Sequence, residues 1–332
     1  MFELIICTYN RRKLALNLAM EALSCTPAPD KVVIVDSSDD FDAAFYTGSS
    51  SLIEPVHSSH KNQPYQRYLG FLTSSAAHLV YFDDDIKIKD RNIFEYLTDP
   101  LKRNEVVGAC VKVRYENVLH KLLDKPKVNQ GLLSKLINVV SGVPSPSAGR
   151  LGLVGVPGEI PDRDGPIEFF QGTNMAFRRD ILEKAFDHRV YSQYECHLGK
   201  GEDKIISFKT ASSGTLWYTD KEALHHPPVE TSYFGHSLAF SRRLAYSRYF
   251  LSMVWCEERN FPKGIGALHY YYFMSWRVIL AALAYLRTRK PAQAEAVKGL
   301  WKGMVLTFEG SSAYNSCHLD WEKEARKDIE GR

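Results

Sequence analysis

The chain reads as an α/β protein with a mostly parallel sheet and helices on both faces, and three observations lead there. Strand-like and helix-like stretches alternate through the first third of the 332 residues. The strand-like stretches are short apolar runs, as strands buried on both faces require. Each run ends in a cluster of polar turn formers.

Element by element, Glu3 to Cys7 is an apolar strand, and a helix follows from about Arg12 to Ser24 with Leu14, Leu18 and Leu23 at helical spacing. Lys31 to Val35 is a β-branched strand closed by the loop Asp36-Ser37-Ser38-Asp39-Asp40. Tyr65 to Ala77 is expected to be helical, and His78 to Phe82 a buried strand running into Asp83-Asp84-Asp85. From Val106 to Pro228 the pattern is less regular: Gly142 to Gly165, rich in Gly, Pro and Ser, predicts a long surface loop, and Glu168 to Phe170 a strand. Gly172-Thr173-Asn174 comes next, with a helix from about Arg179. Helix dominates from about Ser237 to the end.

Composition sets bounds on function. The length suits one large α/β domain with an appendage, and 45% hydrophobic with 24% charged residues is ordinary for a globular protein. A net charge of +3 gives no argument for nucleic acid as a partner. Charge is nonetheless uneven, because Thr231 to Leu306 carries eleven Lys or Arg against Glu257, Glu258 and Glu295. The six cysteines show no CxxC spacing, which predicts neither a zinc site nor a disulfide framework and suits a cytoplasmic protein. The apolar run at Leu4-Ile5-Ile6 is too short for a signal peptide. A longer run, Gly266 to Leu286, has Arg277 near its centre and His269 within it, so spanning a membrane is disfavoured. A basic, aromatic-rich helical region of that kind suits either an anionic membrane surface or a helical cap.

Several acids stand where chemistry is expected. Asp83-Asp84-Asp85 follows an apolar strand, and ligands of open parallel sheets bind beyond the carboxyl ends of strands. Such oxygen ligands suit Mg²⁺ or Mn²⁺, commonly shared with substrate phosphates, although an acidic turn gives the same pattern. Thr8-Tyr9-Asn10-Arg11 and Asp36 close two other strands, offering a ring for a planar base and an acceptor for its N–H, or simply turn chemistry. Arg67, on the intervening helix, is a candidate phosphate ligand. Glu202-Asp203 opens a helix after a Gly-rich turn, placing either a base for an acceptor hydroxyl or ordinary dipole partners. Of His225 and His226 only one can face a given side of a strand, and His226 is chosen as a metal ligand.

This ordered set, over about residues 2 to 230, resembles the family 2 glycosyltransferases of the GT-A fold, a Rossmann-like, mostly parallel sheet flanked by helices. The resemblance implies a nucleotide-binding half over 1–105, an acceptor-binding half over 106–230 and a helical C-terminal region over 231–332. Thr8, Tyr9, Asn10, Arg11, Asp36, Arg67, Asp83 and Asp84 would then meet the nucleotide; Asp83 and Asp85 match the DxD motif; Asp85, Asp83 and His226 would hold Mn²⁺ or Mg²⁺. Gly172, Thr173 and Asn174 are similar to a stretch lining the substrate pocket, and Glu202-Asp203 to the motif whose Asp is the catalytic base in inverting members. The implied protein transfers a sugar from a nucleotide-diphosphate donor, with UDP favoured, to a glycan or lipid-linked acceptor in cell-surface polysaccharide or glycolipid synthesis. It would be cytoplasmic, with peripheral membrane contact. The sequence departs from the pattern at Asp36-Ser37-Ser38, where two acids and a serine are common and only the first acid is present, and at Gln63-Pro64 and Tyr68. A sugar-phosphate nucleotidyltransferase would want a Gly-rich basic loop after the first strand, and Thr8 to Leu14 contains no glycine. A non-catalytic nucleotide-sugar binding protein would need neither Asp85 nor Asp203.

Overall fold

A computed structural model describes residues 1–115, 148–186, 191–227, 237–308 and 319–331. Among the described residues nine strands form one sheet: β1 (Phe2–Thr8), β2 (Lys31–Asp36), β3 (Ile53–His57), β4 (His78–Asp83), β5 (Lys87–Ile88), β6 (Val106–Tyr115), β7 (Gly165–Ile167), β8 (Asn174–Arg178) and β9 (Thr215–His226). Their order is β3-β2-β1-β4-β8-β6-β9-β5, with β7 paired to β9. The first four are parallel neighbours, and β6 and β9 run the same way because antiparallel β8 lies between β4 and β6. The sheet is therefore mostly parallel, and it is continuous from the first strand to the last.

The apolar runs divide by period 2 into two cores. Ile5, Val33 and Val35 face one side and Leu4, Ile6, Val32 and Ile34 the other, all fully buried. Helix α1 (Arg12–Leu23) and the short α2 (Ala43–Thr47) and α4 (Ile93–Thr98) cover the second side. The first side is covered by α3 (Gln63–Thr73), α6 (Glu202–Ala211) and α10 (Trp321–Glu330), whose Trp321 is fully buried and stacked on Tyr191. At Gly70 a Cβ would fall 2.5 Å from Ile5 Cγ2, so only glycine lets α3 lie this close to β1.

Several expectations need adjustment. Strand β7 lies three residues before the expected Glu168 to Phe170 segment, which is irregular because Glu168 turns its carboxylate onto Arg150 and the Leu151 N–H. Helix α3 begins earlier and ends earlier than expected: Asn62 caps it with Pro64 in its first turn, and Ser74 is extended. The helix at Arg179 is a single turn, α5 (Arg179–Leu182). Of the loop expected over 142–165, residues 148–164 are irregular, Gly165 opens β7, and 142–147 lie outside the described residues. Cys196 is disulfide-bonded, against the expectation of none, whereas Cys7, Cys25, Cys110 and Cys256 are free and buried. Spacing finds only pairs close in sequence, while a disulfide needs Cα atoms within about 4.4–6.8 Å in space.

The C-terminal helices are α7 (Ser237–Glu258), α8 (Lys263–Thr288) and α9 (Pro291–Phe308). Among the described residues no helix is long and apolar enough to cross a membrane. Helix α9 lies directly on the first turns of α7, where a Cβ at Gly299 or Gly303 would sit 2.4 Å from the carbonyl oxygen of Leu238 or Arg242. Those carbonyls are backbone and cannot yield. Gly303→Leu should therefore lower the unfolding free energy by about 2–3 kcal/mol in denaturant titration. Gly264→Ala, at a helical position with nothing within 4 Å, should be neutral or stabilising by up to about 1 kcal/mol.

Candidate active site

The carboxyl ends of β1, β4 and β9 and the amino end of α6 open onto one cleft of ≈ 510 Å³. Parallel pairing aligns the ends of β1 and β4, with Cys7 opposite Asp83, so Thr8 and Arg11 meet the aspartates directly. Thr8 Oγ1 donates to Asp84 Oδ2 at 2.6 Å, and Arg11 bridges Asp84 Oδ1 at 2.6 Å and Asp85 Oδ2 at 2.8 Å. At the end of β9, His226 turns toward the acids, its Nε2 3.3 Å from Asp85 Oδ1. His225 faces away from the cleft.

The three aspartates occupy different electrostatic environments. Burial pushes Asp83 up to about 7, against the pull of Arg67. Burial also raises Asp84, to about 6, opposed by Arg11 and Thr8. For Asp85 burial acts the same way but is outweighed by His226 and Arg11, so its carboxyl sits below the usual range. His226 mirrors this: burial works against its charge, Asp85 outweighs burial, and the imidazole is raised.

Arg67 lies beneath this floor. Only 2% exposed, its guanidinium reaches Asp83 Oδ1 at 3.2 Å, Glu202 Oε1 at 3.1 Å and the Gly172 carbonyl at 3.2 Å. Burial opposes its charge, but Glu202 and Asp83 more than compensate and its pKa is raised. The expected phosphate contact is thus replaced by a scaffold position, because both terminal nitrogens of the guanidinium are already engaged inside the protein. Glu202 is held as well, accepting from Tyr194 Oη at 2.9 Å.

Asp203 is the acid of that pair that lines the cleft with a freer carboxylate, Oδ2 lying 3.5 Å from Lys204 Nζ. Gly172, at φ +69°, packs against it: a Cβ there would lie 3.2 Å from Asp203 Cβ and 3.3 Å from Oδ2. Both the left-handed backbone and the lack of room favour glycine.

Other expected residues are placed differently. Asp36 is fully buried, and its oxygens accept from Ser38 N and Oγ and from Tyr46 Oη at 2.8 Å, so it supports the turn instead of lining the cleft. Ser38 Oγ in turn accepts from the N–H of Asn10, which adopts φ +56°. Tyr9 is 44% exposed beside the cleft, with Lys61 Nζ 5.1 Å from its ring centroid. Asn174 spends both ends of its amide on Val111, bridging β8 to β6, and Thr173 Oγ1 pairs with Tyr115 Oη at 3.1 Å. Residues that sequence reasoning missed also line the cleft: Gln63, donating to Asp83 Oδ1 at 3.0 Å, and Lys200, Lys204 and Arg243. Gln63 stands at a departure from the family pattern and Arg243 in the basic stretch, which were the signals available.

The geometry can hold a divalent cation in part. Asp85 Oδ1 is buried 3.3 Å from His226 Nε2, a carboxylate oxygen and an imidazole nitrogen side by side. Among the described residues no group of three or more His, Cys, Asp or Glu forms a ready cage. One carboxylate, one imidazole and substrate phosphates match the way Mg²⁺-like ions bind.

No protein-family model matches the chain, and no curated protein matches it. Solved structures do. The chain is similar to the mannosyltransferase PcManGT from Pyrobaculum calidifontis in complex with GDP-Man and Mn²⁺, at a TM-score of 0.50 and 13% identity, covering 94% of this chain and 88% of that one. It is also similar to TarS 1–349 of S. aureus, at a TM-score of 0.54 and 11% identity, covering 100% of this chain and 92% of that one. Identities this low speak to architecture alone, and the architecture is the GT-A fold of glycosyltransferases.

Proposed function

We propose that this chain is a metal-dependent, inverting glycosyltransferase that moves a sugar from a nucleotide diphosphate to an acceptor hydroxyl. The observation that carries the reading is the convergence of Asp85 and His226 with Asp203 on one cleft. The mannosyltransferase structure with GDP-Man and Mn²⁺ supports it.

Asp85 and His226 would hold Mn²⁺ or Mg²⁺, which when bound supplies Lewis-acid stabilisation of charge on a departing diphosphate. Arg11 adds a cation at the same end of the cleft. Tyr9 offers an exposed ring beside it for the base, and Lys61 lies over that ring. Asp203, which lines the same cleft, accepts the proton of the hydroxyl that attacks the sugar on the face away from the departing diphosphate. Attack from that face gives inversion. Arg67 and Glu202 position rather than react, fixing the amino end of α6 to the end of β4. UDP-sugars are the first donors to assay and GDP-sugars the second, with glycans or lipid-linked glycans as acceptors.

Transfer assays with Mn²⁺ should show Asp203→Asn lowering kcat by about 10²–10⁴ with donor affinity retained. Asp85→Ala should remove metal-stimulated turnover. Either variant working within a few-fold of wild type would reject its assigned role. Because Asp83 and Asp84 hold protons up to about 7 and about 6, cation binding near pH 6.5 should expel protons and tighten as pH rises to 8. Calorimetry in two buffers of different ionisation enthalpy measures that release. The same two groups bind more protons folded than unfolded, so in cation-free protein their stabilising contribution is full below about pH 4 and is lost as pH rises to about 7. Arg67→Met should lower stability by about 3 kcal/mol at pH 8, because Asp83 and Glu202 lose their buried partner.

A further inference from the structure

Helix α8 carries two apolar faces. Tyr270, Phe273 and Met274 are buried in the C-terminal core with Leu300 and Met304 of α9. Ile265, Leu268, Tyr272, Ile279, Leu283 and Leu286 are exposed, Leu268 at 71%. At about 100° of turn per residue these six fall within an arc of about 60°, nearly opposite the buried set. Helix α9 extends the face: Phe308 stacks on Tyr271 with ring centroids 4.1 Å apart, and Trp301, two turns earlier on the same side, is also exposed. Monomers in water rarely leave a contiguous apolar surface of this extent uncovered.

Charge decides what covers it. From Lys263 to Phe308 there are seven Lys or Arg and a single acid, Glu295. A second copy would bring like charges together along the seam, whereas a bilayer containing anionic lipid supplies the opposite charge. Tyr and Trp suit the same boundary, since each has an apolar body and a polar tip. We infer that α8 and α9 lie in the plane of an anionic membrane surface, with the exposed face of α8 and Trp301 and Phe308 among the lipid chains and the cationic side chains at the headgroups.

The helical unit that carries this face packs beside the cleft. Gly299 and Gly303 of α9 seat on the first turns of α7, which carry Arg243 in the cleft wall and Phe240 beneath Lys200. An acceptor held in the bilayer would therefore approach Asp203 from the side of the docked helices. That consequence rests on the glycosyltransferase reading; the docking does not.

The test uses the full chain and vesicle flotation without donor or acceptor. Vesicles are phosphatidylcholine alone, or phosphatidylcholine with roughly a third phosphatidylglycerol. The expected result is binding to the anionic vesicles about tenfold or more tighter than to the neutral ones. Leu268→Ser/Leu283→Ser/Trp301→Ser, with unchanged circular dichroism, should abolish it. Lys298→Gln/Lys302→Gln should weaken it by about tenfold or more, since each cation near the surface contributes roughly fivefold. Lack of binding to anionic vesicles overturns the inference, as does binding untouched by the triple variant. So does a wild-type dimer in light scattering that the triple variant dissociates, with no vesicle binding. An active transferase that ignores vesicles sinks this inference alone, and a vesicle-binding chain without transferase activity sinks only the catalytic reading.

Discussion

A single buried guanidinium holds together the parts of the molecule on which everything else at the cleft depends. Arg67 leaves α3 and joins the end of β4 through Asp83, the start of α6 through Glu202, and the turn before β8 through the Gly172 carbonyl. Desolvating such a charge is costly, and the cost is offset only because carboxylates on two elements and a carbonyl on a third meet the planar fork. A lysine would supply the charge without that geometry. The separation between the aspartates after β4 and Asp203 is therefore set by one buried side chain that does not itself line the cleft.

On that base the three consecutive aspartates become three different groups. Asp83 is shared by Arg67 and Gln63, Asp84 is buried against Thr8 and Arg11, and Asp85 faces His226. Burial raises the first two while ion pairing lowers the third, so Asp85 is the one most ready to serve as a charged ligand near neutral pH. A homogeneous acidic turn in water would not distinguish them. The distinction arises from where β1 and β9 end relative to β4.

Close approach is the other recurring device. Gly70 brings α3 onto β1, Gly172 brings a loop against Asp203, and Gly299 and Gly303 bring α9 onto α7. The first two shape the cleft; the last two lock a basic, apolar-faced helical unit beside it. The proximity of that unit to Arg243 and Lys200 links the cleft to the basic, apolar-faced surface of the C-terminal helices.

The amino-acid sequence by itself determined the alternating elements of the first third, the polar strand ends at Thr8, Asp36 and Asp83, the helix after Glu202 and the helical character from Ser237 onward. These follow from local periodicity and turn chemistry, which act over a few residues and are written in neighbouring side chains. Tertiary structure alone decided that β8 runs antiparallel between β4 and β6, that β6 and β9 pair, and that Cys196 enters a disulfide. It also decided that Asp36 and Asn174 satisfy the scaffold, that Arg67 lies under the cleft, and that His226 and not His225 meets Asp85. A carboxylate, an amide or a guanidinium has the same hydrogen-bonding capacity wherever it stands. Which partner fills that capacity, another side chain or a substrate, is fixed only when segments a hundred residues apart are folded into contact.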